Sequence, residues 1–398
     1  MWAFLCSLVA TFAGVTGFAA APLVAVAVGY DHAAAIDAEG RAWAWGRGGE
    51  GQLGDGAAAS STVPVAVRVP SDVAFTAIAA GDAYTVAIDA HGRLWAWGSA
   101  WDGRLGNGRS DGIVALPGPV SLPMGVVIVT LAGGGSHVLA LDAEGRTWSW
   151  GRNIEGQVGD PSARVHLEPT QVRVDAGVRF VGLAAGKGHS VAVDEDGRLW
   201  GWGWNLRREL GDADSPVRPV PAPLSLTEGE PSVAVAAGGG RSMAVTRAGE
   251  VWAWGGGDAG PYLPPSRLPS LGGDPPATVV TTGSLRVRVH GRDTAVAALA
   301  LDDEGALWAW LQLDASTAFD VVDLGMPCRW ASVAVGGWGV AAVDGDGELW
   351  FWYARETLAD IAPLDGAAAA AEARPVGCSP FERLPREVTQ GVRSRQRL

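Results

Sequence analysis

The chain is poor in cysteine, with only Cys6, Cys328 and Cys378 among its 398 residues. No two of them form a Cys-x-x-Cys pair, so the sequence supports neither a zinc site nor a redox site of that type. Three cysteines also imply no framework of disulfides. Cys328 and Cys378 would remain after loss of residues 1–21, and nothing in the sequence decides whether they pair.

Basic residues are scarce relative to acidic ones. Lysine and arginine number 30 against 43 aspartates and glutamates, which gives a net charge of −13 and a pI near 4.9. Because a protein binds the phosphates of DNA mainly through lysine and arginine, we expect no direct contact with nucleic acid. Since 48% of the residues are hydrophobic and 18% are charged, the chain can bury a core and is not disordered as a whole.

The motifs of common catalytic sites are missing as well. The sequence contains no His-Glu-x-x-His, no phosphate-binding P-loop and no Gly-x-Ser-x-Gly. Residues 46–51 fit Gly-x-Gly-x-x-Gly, but no helix pattern follows them, and the acidic turn at 194–196 lacks the spacing of an EF-hand. We predict no catalytic residue, no metal site and no cofactor, and therefore a protein that is not an enzyme.

What the sequence does contain is a repeat built on tryptophan. The phrase Trp-x-Trp occurs seven times and accounts for fourteen of the nineteen tryptophans. The first tryptophans of successive copies are 52, 53, 52, 52, 56 and 42 residues apart, a period typical of a repeat architecture. We predict that these pairs form the core of the repeats: Trp43/Trp45, Trp95/Trp97, Trp148/Trp150, Trp200/Trp202, Trp252/Trp254, Trp308/Trp310 and Trp350/Trp352.

Each copy follows the same local plan. A strand leads into a four-residue Asp-x-x-Gly turn, and a second strand returns through the tryptophan pair, as in Asp194, Gly197 and then Trp200. Aspartate at the first turn position can cap backbone N–H groups, and glycine at the last accepts a positive φ. Alternate residues of a strand share a face, so both tryptophans of a pair point the same way. In the fifth copy Thr246 replaces the turn aspartate.

Histidine recurs at one position of the repeat. His32, His137 and His189 each lie eleven residues before the first tryptophan of their copy. We interpret them as hydrogen-bonded structural residues between strands, rather than as metal ligands or catalytic groups. The equivalent positions of the other copies hold Tyr84, Arg241, Ala297 and Gly339.

The repeated segments of this sequence resemble the repeat of the RCC1 (regulator of chromosome condensation) family. The match is clearest over residues 184–203, which include His189 and Gly197, and in the Gly-Gln-Leu-Gly and Gly-Gln-Val-Gly boxes at 51–54 and 156–159. The resemblance covers residues 23–353. It implies an all-β fold, a single seven-bladed β-propeller of four-stranded antiparallel blades, in which neighbouring blades bury tryptophans that an isolated hairpin could not.

The predicted organisation has three parts. They are an apolar segment at residues 1–22, the propeller at 23–365, and a poorly ordered tail at 366–398 that is first alanine-rich and then contains arginines. Three interpretations of residues 1–22 stay open: a signal peptide, a membrane anchor, or a strand that helps to close the ring. The protein is extracytoplasmic if residues 1–21 are a signal peptide and cytoplasmic otherwise, and membrane contact is expected only from an uncleaved anchor.

The resemblance implies a non-enzymatic scaffold that binds an unidentified protein partner through loops on the propeller faces. The alternative is a guanine-nucleotide exchange factor for a small GTPase, the activity of the founding member. Trp101 and Trp204 break the repeat pattern, and we predict both in loops just past the return strand, as contacts with a partner or as loop packing. The Gly-Trp-Arg-His-Thr motif of plant UV-B receptors is missing, so photoreception is not expected. We expect a monomer.

Overall fold

The computed structural model describes residues 21–212, 215–227, 229–256, 263–269, 277–281, 286–289, 292–302, 305–313, 319–323, 329–337 and 339–353. The predictions for residues 1–20, for the tail at 366–398 and for the three cysteines lie outside these residues. Among the described residues, no helix has the length and apolar character needed to cross a membrane.

The strands form antiparallel sheets that follow one another in chain order. Five sheets have four strands each: β1 (Leu23–Val28), β2 (His32–Asp37), β3 (Ala42–Gly46) and β4 (Ser61–Ala66); β5 (Phe75–Ala80), β6 (Tyr84–Asp89), β7 (Leu94–Ser99) and β8 (Ile113–Val120); β9 (Ile128–Gly133), β10 (His137–Asp142), β11 (Thr147–Arg152) and β12 (Val165–Gln171); β13 (Phe180–Ala185), β14 (His189–Asp194), β15 (Leu199–Trp204) and β16 (Val217–Leu224); β17 (Ser232–Gly238), β18 (Arg241–Thr246), β19 (Val251–Gly255) and β20 (Leu263–Arg267).

Two further sheets depart from four strands. The next sheet has the order β21-β23-β24-β25, with β22 paired to β23, and the last one has three described strands. Their bounds are β21 (Ala277–Thr281), β22 (Arg286–Val289), β23 (Arg292–Asp302), β24 (Leu307–Leu313) and β25 (Phe319–Asp323), followed by β26 (Trp330–Val335), β27 (Gly339–Asp344) and β28 (Leu349–Tyr353). A 3-10 turn, Trp101–Gly103, follows β7.

The sheets are arranged as the blades of a propeller. The first strand of each blade contacts the first strand of the next, and β1 contacts β26 and β27 of the last sheet. At that seam the backbone N–H of Leu23 donates to the carbonyl oxygen of Gly347 at 2.9 Å. The first strands therefore surround the axis, and the predicted all-β propeller of four-stranded antiparallel blades is confirmed.

The core lies between the blades. In the first six blades the tryptophan pair packs on the blade before it: Trp200 and Trp202, for example, share a cluster with Leu139 and Val172. At the seam Trp45 meets Phe351 edge to face, with ring centroids 5.9 Å apart. The second tryptophan of the pair is fully buried in six copies: Trp45, Trp97, Trp150, Trp202, Trp254 and Trp310. The first tryptophan is also buried in six copies, and Trp308 is partly buried. The side chain of Trp352 lies outside the described residues.

The aspartate of the Asp-x-x-Gly turn accepts hydrogen bonds both from the backbone of the turn and from the indole of the first tryptophan. In the first copy Oδ1 of Asp37 accepts the N–H groups of Glu39 and Arg41 at 3.1 and 2.9 Å, while Oδ2 accepts the indole N–H of Trp43 at 3.2 Å. Gly40 closes the turn at a φ of +77°, as predicted. The indole bond recurs at 2.9–3.1 Å in the pairs Asp89–Trp95, Asp142–Trp148, Asp194–Trp200, Asp302–Trp308 and Asp344–Trp350.

The fifth copy lacks this acceptor. Thr246 takes the place of the aspartate, and the buried indole nitrogen of Trp252 has no hydrogen-bond partner among the described residues. The hydroxyl of Thr246 still accepts the N–H of Glu250 at 3.2 Å. Trp252 therefore carries a buried donor that its counterparts in the other copies satisfy.

We expect Thr246→Asp to stabilise the protein by about 1 kcal/mol, because the new carboxylate would accept both the backbone and the indole N–H groups. Glu250 lies four residues after this position, and its negative charge should not prevent the gain in stability. Asp344 has Glu348 at the same spacing and accepts its backbone N–H. Urea denaturation would measure the gain. The control Thr246→Val removes the remaining acceptor and should destabilise the chain, and an unchanged midpoint for Thr246→Asp would contradict the argument.

Candidate interaction face

The two ends of the ring carry different connections. His32 at the start of β2 pairs with Gly46 at the end of β3, so the corner after β1 and the loop after β3 lie at the same end. We call this end the loop face. It carries the corners at residues 29–31, 81–83, 134–136 and 186–188, and the loops at 47–60, 100–112, 153–164, 205–212 and 215–216. The Asp-x-x-Gly turns lie at the opposite end, the turn face.

Beneath the loop face, a histidine joins each of three blades to the next. Nε2 of His32 lies 2.9 Å from Oγ1 of Thr85 in the following blade. The Thr85 hydroxyl donates to the carbonyl oxygen of Gln52 at 2.9 Å, and the indole N–H of Trp97 donates to the same oxygen at 2.9 Å. Because the hydroxyl hydrogen is used for Gln52, His32 must donate from Nε2, which defines a neutral tautomer. We call this arrangement the histidine clasp.

The clasp recurs in the third and fourth copies. His137 contacts Ser190 at 2.9 Å, and His189 contacts Ser242 at 2.8 Å. In the second copy Tyr84 replaces the histidine, and the position equivalent to Thr85 in the next blade holds Val138, which has no hydroxyl. The single hydrogen of the Tyr84 hydroxyl is instead shared between the carbonyl oxygens of Gly134 and His137, which lie 2.9 and 2.6 Å from the hydroxyl oxygen. These three histidines therefore join blades, in agreement with the structural role that the sequence predicts.

Burial keeps the clasp histidines neutral. It lowers the pKa of His32 and His137 from 6.5 to about 3, and that of His189 to about 4. Since the unfolded chain binds these protons near pH 6.5 and the folded chain does not, stability is lost as the pH falls.

We expect the free energy of unfolding to fall steadily from pH 6.5 to about pH 4.5, with unfolding coupled to the uptake of up to three protons. Burial raises the pKa of Glu209 and Asp31, so these carboxyls bind protons in the folded state and offset part of this loss. Hydrogen bonds from tryptophan and arginine leave the pKa of Asp89 and Asp142 below 3.8, so these two carboxylates titrate below that window. Urea denaturation at several pH values would measure the slope. In the control His189→Gln the amide still reaches Ser242 but does not titrate, and the slope should decrease by one proton.

Around the axis, the corners of the loop face are joined by backbone hydrogen bonds. The N–H groups of Tyr30, Gly135, Lys187 and Gly337 donate to the carbonyl oxygens of Gly81, Gly186, Gly239 and Gly29, at 3.0–3.2 Å. We call these corners the glycine belt. It surrounds a cavity of about 100 Å³. Tyr30, Asp82 and Lys187 are the large residues that line this cavity. This volume is well below the ~300 Å³ or more of typical small-molecule pockets.

Farther from the axis, one repeat position carries exposed apolar side chains. Trp101, Ile154 and Leu206 each lie six residues after the first tryptophan of their copy, and 57%, 43% and 64% of their surfaces are exposed. We call these three residues the apolar ridge. They occupy equivalent loops of three consecutive blades, whereas the first copy has Gly49 at this position.

The structure separates the two tryptophans that the sequence singles out. Trp101 lies in the 3-10 turn of its loop, as predicted, and belongs to the ridge. Trp204 is the last residue of β15 rather than a loop residue, and it is half-buried. It packs on Gly188, where an added Cβ would come within 3.0 Å of the indole ring. Ile154 and Leu206 were missed, although aligning the copies on Trp-x-Trp places both in register with Trp101.

The described residues bring together no group of three or more His, Cys, Asp or Glu side chains that could hold a metal ion. Asp194, in the acidic turn, already accepts two backbone N–H groups and one indole N–H. Chemically, the loop face offers exposed apolar side chains and charged groups beside corners that are joined by backbone hydrogen bonds.

Blades of about fifty residues, joined through Trp-x-Trp pairs and glycine corners, define a repeat propeller. The chain belongs to the RCC1-like domain family, whose model matches residues 13–226. It is 31% identical to the Ultraviolet-B receptor UVR8 of Arabidopsis thaliana over 296 residues, which are 72% of this chain and 64% of the receptor. The chain thus spans slightly less than two thirds of the length of that relative.

Solved structures show the same fold. Human WBSCR16 superimposes with a TM-score of 0.67 at 20% identity, covering 84% of this chain and 88% of that one. Prp20p from Saccharomyces cerevisiae superimposes with a TM-score of 0.65 at 22% identity, covering 83% and 82%. At these identities the likeness concerns the fold alone.

Proposed function

We propose that the chain is a seven-bladed, non-enzymatic propeller that serves as a protein-interaction scaffold and binds its partner through the loop face. Seven Trp-x-Trp copies and a continuous circuit of first strands from β1 to β26 support the blade number. The same proposal includes three further points: the chain makes no contact with nucleic acid, it is a monomer, and Trp101 and Trp204 face the partner.

The observation that carries this function is the apolar ridge. Exposed apolar side chains scattered singly need no explanation, but three at one position of consecutive blades form a row on one face. Tryptophan is enriched among the residues that dominate binding energy, and Trp101 occupies one end of the row. Prp20p, which has the same fold, has binding properties to Gsp1p and histones.

The relationship to UVR8 does not extend the proposal to light sensing. None of the copies has tryptophan two residues before the histidine position, where plant UV-B receptors carry it. The repeat tryptophans whose side chains are described lie between blades, and the indoles of both Trp200 and Trp202 donate hydrogen bonds. A packing role accounts for them.

The proposal is tested by affinity capture with the full chain and a loop-face variant. We expect the wild-type chain to retain specific proteins from a cell extract, and Trp101→Ser/Leu206→Ser to lose them. Val181→Ser is the matched control, because Val181 is 58% exposed at the turn-face end of β13. Equal retention by the double variant would contradict binding through the loop face.

The alternative, nucleotide exchange, has a direct test. Release of a fluorescent guanine nucleotide from a panel of small GTPases is expected to proceed at the same rate with and without the chain. Acceleration that is lost in Trp101→Ser/Leu206→Ser would instead establish an exchange factor that works from the same face.

A further inference from the structure

We infer that Glu209 makes residues 205–212, which we call the fourth loop, responsive to pH: the loop opens more often when the carboxyl group loses its proton. This inference rests on the proposed function, because it concerns the regulation of the same surface. Leu206, one of the three residues of the apolar ridge, belongs to this loop.

The fourth loop departs from its counterparts at one buried position. The first and third copies have glutamine there, Gln52 and Gln157, whereas the fourth copy has Glu209. In the first and third copies the amide oxygen of the glutamine accepts the backbone N–H two residues earlier, at 2.9 and 3.1 Å. Oε2 of Glu209 makes the same contact with the N–H of Arg207 at 2.8 Å. A carboxyl group thus occupies a position that suits a neutral amide.

The carboxyl group of Glu209 is shielded from water. The residue is only 3% exposed, and a Cβ added to Gly240 in the next blade would lie 3.7 Å from Oε1. Burial raises the pKa of Glu209 above its usual value of 4.5, although two backbone N–H groups and the charge of Arg207 act in the opposite direction. A buried carboxylate that its surroundings do not fully compensate destabilises the state that buries it. The charged form of Glu209 therefore favours an open loop, in which water reaches the group.

Other charged and titratable side chains lie on the elements around this group. Those of the described residues are Arg207, Arg208 and Asp212 in the loop, Lys187 and His189 at the start of β14, Arg241 on β18, and Arg218 on β16, which pairs with Asp212 at 2.6 Å. Burial lowers the pKa of His189 to about 4 and that of Arg241 to about 10, so neither changes its charge between about pH 5 and 8. Asp214 lies outside the described residues. We assign the pH response of the loop to Glu209.

Backbone strain in the fourth loop acts in the same direction. Arg208 has a φ of +58°, and the equivalent residues of the first three copies are Gly51, Gly103 and Gly156, with φ values of +79°, +70° and +80°. A residue with a side chain is strained at such a φ, and the strain is released when the loop opens. An uncompensated carboxylate and a strained backbone thus destabilise the closed form of one and the same loop.

The response has a definite sign. Because the pKa of Glu209 is higher in the closed loop than in the open one, its contribution to stability is fully present below pH 4.5 and is lost as the pH rises through the raised pKa. Deprotonation therefore increases the population of the open loop. Opening moves Leu206 away from its place in the apolar ridge, so a partner that contacts the ridge is bound less tightly at higher pH.

Amide hydrogen exchange of the full chain tests the inference. At about pH 8 the amides of residues 205–212 should exchange severalfold faster in the wild type than in Glu209→Gln, and at about pH 5 this difference should be much smaller. Comparing the two proteins at the same pH removes the effect of pH on the intrinsic exchange rate. Residues 153–160, which include Gln157, form the control loop and should exchange alike in both proteins. Equal exchange of residues 205–212 at the higher pH, or a difference of the same size at both pH values, would overturn the inference.

The reciprocal variant Gln157→Glu should transfer the response to the third copy. Exchange of residues 153–160 should then be faster than in the wild type at about pH 8, and much less so at about pH 5. The effect should exceed that of Glu209, because Nε2 of Gln157 donates to Oε2 of Glu155 at 3.1 Å, and the new carboxylate would face that of Glu155. An unchanged third loop in Gln157→Glu would contradict a pH response that originates at this position.

These exchange measurements need no partner, so the inference can fail while the proposed function stands. Affinity capture at about pH 8 then examines the effect on binding: Glu209→Gln should retain more of the proteins that Trp101→Ser/Leu206→Ser loses. Equal retention by the wild type and Glu209→Gln would show that the loop does not regulate binding. If the chain captures no protein at all, the proposed function fails, and the exchange rates still decide whether the loop responds to pH.

Discussion

Replacing Trp97 by alanine is expected to lower the free energy of unfolding by about 4 kcal/mol. Its indole is fully buried between two blades and donates to the carbonyl oxygen of Gln52 at 2.9 Å. The substitution would leave a cavity beside Phe75, whose ring centroid lies 6.0 Å away. Urea denaturation followed by tryptophan fluorescence and circular dichroism would measure the loss.

Trp101→Ala is the matched control, since the two tryptophans lie four residues apart in the same copy. Trp101 is 57% exposed, and its removal should change stability by no more than about 0.5 kcal/mol. If both substitutions cost the same, the second tryptophan of the pair would not be the packing element between blades. Trp101→Ala is expected instead to reduce partner binding.

Replacing Gly29 by alanine is expected to cost about 3 kcal/mol, the upper range for overpacking a closely packed site. A Cβ at this position would lie 2.2 Å from the carbonyl oxygen of Gly81 and 2.8 Å from the His32 ring. The nearer atom belongs to the backbone of the next blade, so the clash is relieved only by moving the blades apart. The glycine belt would open between the first two copies.

Gly49→Ala is the control for this substitution. Gly49 has no atom within 4 Å of an added Cβ, so alanine there should be neutral or slightly stabilising. Thermal melts of both variants would show the difference. A Gly29→Ala melting temperature equal to that of Gly49→Ala would mean that the belt is not a close contact in solution.

The repeat period accounts for most of what was predicted. Seven Trp-x-Trp pairs with Asp-x-x-Gly turns are enough to predict the propeller and the buried tryptophans, because only neighbouring blades can cover those side chains. The turn aspartate was predicted to cap the backbone. Its second oxygen, which holds the first tryptophan, was not foreseen, since strand alternation indicates a face but not a hydrogen-bond partner.

The hydrogen-bond partners of the three histidines could not be predicted from the sequence, for a related reason. His32 and Thr85 are 53 residues apart, and so are His137 and Ser190. This interval is about one repeat, and only the packing of one blade against the next turns it into a contact. The apolar ridge was missed because one exposed residue per copy has no meaning until the copies are aligned and their common end of the ring is known.

The histidine clasp also divides the ring into two arcs. Clasps and their Tyr84 equivalent join the first five copies, whereas the sixth and seventh have Ala297 and Gly339 at this position and cannot form them. We therefore expect amide hydrogens to exchange more slowly in the first arc than around the seam. Trp101, Ile154 and Leu206 all lie on the clasped arc. A partner would meet a surface that is already ordered, so little conformational entropy would be lost on binding.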